Sequence, residues 1–135
     1  MRLRLEEELS LLREPYGAVV HVEAGGEDWF QLPSYATPDG WQFDGRAAGE
    51  ISVCFLIKGD YPGAVPYGFL TPAGLNFNGQ APRSTSAPPK PVPFAGDWLH
   101  FSWTLEDWAA SAEVRDGSNL LVWCRGFAVR LREGA

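Results

Sequence analysis

Three consecutive hydroxyl side chains, those of Ser84, Thr85 and Ser86, follow Arg83 in a proline-rich part of the chain. A hydroxyl has little nucleophilicity at neutral pH unless a base or a strongly activated acyl donor assists it. His100 is a candidate general base if its segment swings near this loop, because histidine titrates close to neutral pH. The cluster fits acyl transfer to a hydroxyl and also fits an ordinary solvated loop. The sequence does not select one hydroxyl of the three.

The two cysteines are weaker candidates for a nucleophile. Cys54 lies in the middle of an apolar run, and Cys124 lies on the apolar stripe of a C-terminal helical pattern. Burial raises the pKa of a thiol and blocks access to it, so we expect both side chains to be structural. Because the two form no closely spaced motif, we interpret them as reduced thiols of a cytoplasmic protein.

Other chemistries have less support. The cysteines and histidines are dispersed without paired ligand spacing, so we predict no metal site. No glycine pattern suited to phosphate is present, so we predict no cofactor. A Ser–His–Asp hydrolase built from Ser84 or Ser86, His100 and Asp97 lacks the nucleophile-elbow motif. His21 alternates within a strand-like run, where we expect a satisfied or exposed side chain.

Length and composition predict one globular domain over residues 1–135. The chain carries 17 acidic and 11 basic side chains, a net charge of −6, and 45% of its residues are hydrophobic. The negative charge and the lack of a Lys/Arg cluster argue against a nucleic-acid partner. No apolar run approaches the roughly 18 residues of a membrane span. The charged N-terminal residues argue against a secretory signal, so we expect a cytoplasmic protein with no membrane partner.

The N-terminal half predicts a helix followed by strands. Leu5, Leu9 and Leu12 share one helical face, and Pro15 is expected to end that helix. Short connections between the strand-like runs favour a four-stranded antiparallel meander. Those runs cover residues 17–23, 29–32, 51–57 and 67–71.

The C-terminal half predicts a long loop and then a second helix, which makes the fold class α+β. Residues 82–93 contain five prolines and no apolar periodicity, so we predict a surface loop. A helix is predicted over residues 119–132, where the spacing of apolar residues follows one helical face. Its apolar stripe consists of Leu120, Cys124, Phe127, Ala128 and Leu131, and its solvent side of Arg125, Arg130 and Arg132.

Tyr61-Pro62 and Pro66 lie in the turn between two predicted strands, residues 51–57 and 67–71. With this motif, residues 51–80 resemble ubiquitin-conjugating enzymes, which have a Tyr-Pro and a following proline in the turn between their third and fourth strands. Residues 69–72 resemble its fourth strand, and residues 75–79 resemble the segment that runs toward the active site. In element order the resemblance extends over residues 2–133, and the tryptophan-rich stretch before a single C-terminal helix is closest to the divergent bacterial members.

The candidate site departs from the family pattern. The family's nucleophile is a cysteine in the loop after an asparagine, for which Asn76 or Asn78 is a loose counterpart, and this loop contains no cysteine. The family spacing counted from Thr71 reaches Thr85, within the hydroxyl cluster. The resemblance therefore implies that a hydroxyl of this cluster carries the modifier as an oxyester, where the family's cysteine carries it as a thioester. Arg83 or Asn76 would stabilise the oxyanion that forms during transfer.

The resemblance also implies partners. They are a ubiquitin-like protein, an activating enzyme and a JAB-type peptidase of a bacterial conjugation pathway, several of which are associated with antiphage defence. Two versions stay open: an acyl carrier that uses a hydroxyl, and a non-catalytic variant that binds the ubiquitin-like protein or another pathway subunit. Outside the family, the alternative is a small α+β module that recognises extended or proline-rich peptides through exposed aromatic side chains.

Overall fold

The structure, a computed structural model, describes residues 2–135. Helix α1 (Leu3–Tyr16) and helix α2 (Leu120–Arg132) lie at the two ends of the chain, and a short 3-10 helix (Val114–Asp116) precedes α2. Within the described residues, no helix is long and apolar enough to cross a membrane. The fold class is therefore α+β, as the sequence predicts.

Nine strands lie between the helices. The bounds are β1 (Val20–Ala24), β2 (Glu27–Ala36), β3 (Trp41–Phe43), β4 (Arg46–Ala47), β5 (Glu50–Ile57), β6 (Phe69–Pro72), β7 (Asn76–Phe77), β8 (Thr85–Ser86) and β9 (Trp98–Phe101). They form a six-stranded sheet of order β1-β2-β5-β6-β9-β8 and a three-stranded sheet of order β4-β3-β7.

The prediction of a four-stranded meander is wrong in strand number. The meander itself exists as β1-β2-β5-β6, but β9 pairs with β6, and β8 pairs with β9 at the edge. Strand β8 contains only two residues, which is too short for an alternating pattern to appear in the sequence. The strand forms because it pairs with β9. The segment 82–93 is thus a loop for most of its length, interrupted by this short edge strand.

Two further boundaries differ from expectation. Helix α1 continues through Pro15 to Tyr16 and is capped by Gly17, whose φ is 76° and whose N–H donates to the Arg13 carbonyl over 3.1 Å. Proline cannot donate to the carbonyl four residues earlier and its ring crowds that carbonyl, so the helix ends one residue after Pro15. Strand β2 is longer than predicted and includes Pro33, at a shift of register between Leu32 and Tyr35. Such irregularities are where a strand accommodates proline.

Both helices cover the same face of the large sheet. Side chains of α1 and α2 pack there against the alternate residues of β5 that point inward, and the core contains a cluster of aromatic rings. Phe69 of β6 stacks on Phe127 of α2, with ring centroids 4.4 Å apart, and on Phe101 of β9 at 4.9 Å. The inward residues of β5 alternate along the strand and are Ile51, Val53, Phe55 and Ile57.

The opposite face of the sheet, here called the outer face, is covered by the proline-rich segment. Trp29, Cys54, Leu70 and Trp98 form a second buried cluster there, against which Val92 and Phe94 pack. Lys90 forms an ion pair with Glu27 of β2, which attaches the same segment to the far strands of the sheet. The segment is therefore a third layer over the sheet, held at several points.

A buried carboxylate joins α1, the Tyr61-Pro62 turn and α2. Glu8 is fully buried and accepts from the Tyr61 hydroxyl at 2.6 Å and from the backbone N–H of Leu120 at 2.5 Å. Arg4 also donates to this carboxylate over 2.9 Å. An anion suits this position, because the first N–H groups of a helix lack partners within the helix and carry partial positive charge. Glu8 thus fixes the first turn of α2 against α1.

Helix α2 agrees with its prediction at both ends, with one correction on its faces. The side chain of Asn119 caps the helix by accepting from the N–H of Val122 over 2.9 Å. Arg130, predicted on the solvent side, is buried instead, with its guanidinium 5.1 Å from the ring centroid of Phe101. It donates to the carbonyls of Gly134 and Arg83, which lie outside the helix, so the helical pattern alone did not reveal its role.

Candidate functional site

Strand pairing brings one of the three candidate hydroxyls beside the candidate base. In the antiparallel pair β8–β9, Ser86 lies opposite His100 and Thr85 lies opposite Phe101. Residues directly opposite each other in an antiparallel pair share a face of the sheet. Ser86 and His100 therefore lie together on the outer face, and Thr85 lies on the face of the core. The pair could not be derived from the sequence, because a two-residue strand has no detectable register.

The other two hydroxyls are positioned differently. The Thr85 hydroxyl donates to the Pro82 carbonyl over 2.9 Å, a local bond that stabilises the turn. Ser84 precedes the strand with a φ of 57°, and its carbonyl accepts from the N–H of Ser102. Ser86 is exposed, and the structure contains no hydrogen bond between its hydroxyl and another described residue. Ser86 is thus the hydroxyl best placed to meet both a substrate and His100.

His100 is buried without a hydrogen-bond partner. Its exposed fraction is 8%, and neither ring nitrogen bonds to any residue within 2–135. Burial lowers the pKa of this imidazole below its usual value, which favours the neutral form that accepts a proton. Tyr67 lies against the ring at a centroid distance of 6.3 Å. A neutral, unpartnered imidazole has the properties of a general base.

Arg83 and Asn76, the two candidates for oxyanion stabilisation, make their recorded contacts elsewhere. Arg83 forms an ion pair with Glu133 at 3.2 Å and donates to the Ala135 carbonyl, so its side chain is directed to the C-terminal residues. Asn76 lies in β7, where its side-chain oxygen accepts from the N–H of Gly79 over 3.0 Å. Their role at an oxyanion therefore stays a prediction. A catalytic triad requires a hydrogen bond between the acidic side chain and the histidine. No such bond joins the Asp97 side chain to His100, and the backbone carbonyl of Asp97 accepts from the N–H of Ala73.

Both cysteines are fully buried. Burial raises the pKa of the Cys54 thiol to about 12, and burial together with the charge of Glu8 raises that of Cys124 well above its usual value. A thiol in this state supplies no thiolate and meets no substrate. The predicted burial of both is confirmed, and no disulfide joins them.

We expect neither thiol to react with an aromatic disulfide reagent in the native protein. Cys54 and Cys124 have no exposed surface, so reaction must wait for opening of the fold. Both thiols should react at once in guanidinium chloride, as measured by release of the coloured thiolate. Rapid labelling of one thiol under native conditions would contradict the assignment and make that cysteine a nucleophile candidate.

One group of metal-ligating side chains exists among residues 2–135. His21, Glu23 and Asp28 lie on the β1–β2 hairpin with their ligand atoms within 4.8 Å of one another. The imidazole and the Asp28 carboxylate are 2.7 Å apart and bond to each other. This diagonal pair accounts for His21 as a satisfied strand residue.

Comparison with known proteins yields no relative for this arrangement. No protein-family model, no curated protein and no solved structure matches the chain.

Proposed function

We propose that this protein is an acyl carrier of the ubiquitin-conjugating-enzyme type, a cytoplasmic component of a bacterial pathway that attaches a ubiquitin-like protein. Ser86 takes the place of the family's cysteine and holds the modifier as an oxyester, with His100 as the base. The single observation that carries the proposal is the pairing of Ser86 with a buried, unpartnered histidine on one sheet face.

Three further observations support the proposal. The order of elements is that of the resemblance, with an N-terminal helix, an antiparallel meander, a long loop and a C-terminal helix. The Tyr61-Pro62 turn joins β5 to β6, to which the resemblance assigns the places of the family's third and fourth strands. The turn is fixed to α1 by the bond between Tyr61 and Glu8.

The transfer proceeds in two steps that balance. In the first, the Ser86 oxygen attacks the thioester carbonyl of the modifier, a C–O bond forms, and the C–S bond to the activating enzyme breaks. His100 accepts the hydroxyl proton, directly or through one water, and the leaving thiolate then takes it up. In the second, an amine of the target attacks the ester carbonyl, a C–N bond forms, and the C–O bond to Ser86 breaks. A proton lost by the amine passes to the Ser86 oxygen, which restores the hydroxyl.

A second candidate is the non-catalytic variant, in which the domain holds the ubiquitin-like protein or another pathway subunit. The observation that favours it is that no hydrogen bond joins the Ser86 hydroxyl to His100. In this version the JAB-type peptidase and the activating enzyme remain partners of the pathway, and the loop has no chemistry.

Mixing the protein with the ubiquitin-like protein, activating enzyme and ATP should produce a covalent adduct that resists reductant and is cleaved by mild alkali. An oxyester has these properties, because its carbonyl carbon bonds to oxygen and not to sulfur. Intact mass before and after each treatment is the measurement. A reductant-sensitive adduct would assign the transfer to a cysteine. No adduct, together with co-elution of the ubiquitin-like protein, would establish the binding version.

A further inference from the structure

A cavity of about 360 Å³ lies on the outer face, between the turn of residues 58–68 and the proline-rich segment. Its apolar walls include Trp29, Leu56 and Leu70, and Pro89 closes it from the side of the segment. Cavities of this size accept small organic ligands. For comparison, an apolar cavity of roughly 150 Å³ suffices for benzene, so a two-ring molecule fits the space here.

The floor of the cavity contains a polar group that can bond to a ligand. His100 lines the cavity, is 8% exposed, and makes no hydrogen bond within residues 2–135. Among the described residues, the fully buried polar atoms without a partner belong to Arg4 and Trp123 and not to His100, so the imidazole nitrogens keep contact with solvent. A ligand that bonds to the imidazole therefore replaces water at this position.

Gly68 lets the imidazole pack directly against the backbone at the cavity. Its φ is 78°, and a Cβ at this position would lie 2.1 Å from His100 Nε2. The N–H of Gly68 donates to the Trp103 carbonyl over 2.7 Å, which fixes the backbone in place. A side chain here would displace the ring, so the position of His100 in the cavity depends on this glycine.

Charge and aromatic surface are both present at the rim. Lys58 and Lys90 line the exposed edge together with Asp60, and Lys90 is paired with Glu27. Lys58 has no ion-pair partner in the described part of the chain. Tyr67 is 63% exposed beside the opening and offers a ring face to a ligand.

We propose that this cavity binds a small aromatic carboxylate, with the rings against the apolar walls and Tyr67. The carboxylate then lies at the rim near Lys58, and a polar atom of the ligand bonds to His100. A neutral polar ligand can bond to His100 but forms no ion pair with Lys58. An aliphatic acid can pair with Lys58 but does not stack on Trp29 or Tyr67. The ligand would use the imidazole that serves as the proposed base, but the test does not depend on the transfer chemistry, since it measures binding to the protein alone.

The test is isothermal titration of the purified protein with 2-naphthoate, and with the neutral analogue 2-naphthylmethanol. We expect saturable binding of one naphthoate per chain, weaker binding of the alcohol, and about a two- to fivefold loss of naphthoate affinity in Lys58→Ala. Arg125→Ala, which removes an exposed cation from α2, is the matched control and should bind as the parent does.

A second variant keeps the test decisive. Ala64 is exposed and lines the cavity, so Ala64→Trp blocks the space without disturbing the core and should abolish saturable binding. Circular dichroism checks that each variant is folded. Absence of saturable naphthoate binding to the parent, equal affinity for the alcohol, or unchanged binding in a folded Ala64→Trp protein would each overturn the proposal. None of these results depends on whether the protein carries a modifier.

Discussion

Replacing Glu8 by alanine is expected to lower the free energy of unfolding by about 3–5 kcal/mol. The carboxylate is fully buried and accepts from the Tyr61 hydroxyl, the Leu120 N–H and the Arg4 guanidinium. Its removal leaves three donors without a partner, of which one carries a positive charge, and it creates a cavity between α1 and α2. Urea denaturation followed by circular dichroism measures the change.

Glu7→Ala is the matched control for this prediction. Glu7 precedes Glu8 in the same helix and is exposed, so its replacement should change the free energy of unfolding by less than about 0.5 kcal/mol. Glu8→Gln keeps an oxygen acceptor but loses the charge opposite Arg4. Its loss in the free energy of unfolding should therefore lie between those of Glu7→Ala and Glu8→Ala. A Glu8→Ala protein as stable as the control would show that the cluster does not hold α2 to α1.

Replacing Ser86 by alanine is expected to abolish the alkali-sensitive adduct, whereas Ser84→Ala and Thr85→Ala retain it. Only Ser86 shares the outer face with His100, because Thr85 is directed to the core side and Ser84 precedes the strand. His100→Gln keeps a polar side chain but removes the base, so the adduct should form about 100- to 10,000-fold more slowly. Single-turnover kinetics followed by intact mass measures these rates.

The pH dependence of adduct formation provides an independent check on the base. His100 acts as a base only when neutral, and burial lowers its pKa below the ordinary value of 6.5. The rate should therefore hold as pH falls through 6.5 and decline only at lower pH, with this acid limb absent in His100→Gln. A rate that falls above pH 6.5 in the parent would contradict a buried neutral imidazole as the base.

The same shift has a consequence for stability. The unfolded chain binds a proton at His100 near its ordinary pKa, and the folded protein binds it only at lower pH. Stability contributed by the neutral imidazole is thus present above pH 6.5 and is lost as pH falls toward the lowered pKa. The direction is opposite to that of a histidine paired with a carboxylate, whose folded pKa is raised.

Elements with a strong local pattern could be predicted from the sequence. Strand β5 has large apolar residues at every second position, and the capping side chain of Asn119 precedes a full apolar stripe in α2. Both predictions are confirmed because the signal and the structure depend on the same neighbouring residues.

Features that depend on distant residues could not be predicted in the same way. Strand β8 exists only because β9 offers it an edge, so the pairing of Ser86 with His100 leaves no trace in the local sequence. The buried position of Arg130 depends on carbonyls at Gly134 and Arg83. The burial of Glu8, in contrast, could have been predicted from the sequence. Its spacing from Leu5 and Leu12 places it on the apolar face of α1, where a carboxylate is expected to be buried.

Peptide mass spectrometry can assign the adduct to a single residue. Trypsin cleaves after Arg83 and leaves Ser84, Thr85 and Ser86 at the start of one peptide, since the Lys90–Pro91 bond resists cleavage. Fragmentation that preserves the ester then identifies the modified residue. We expect the remnant of the modifier on Ser86. A remnant on Ser84, Thr85 or a cysteine, or on no residue of the chain, would contradict transfer through Ser86.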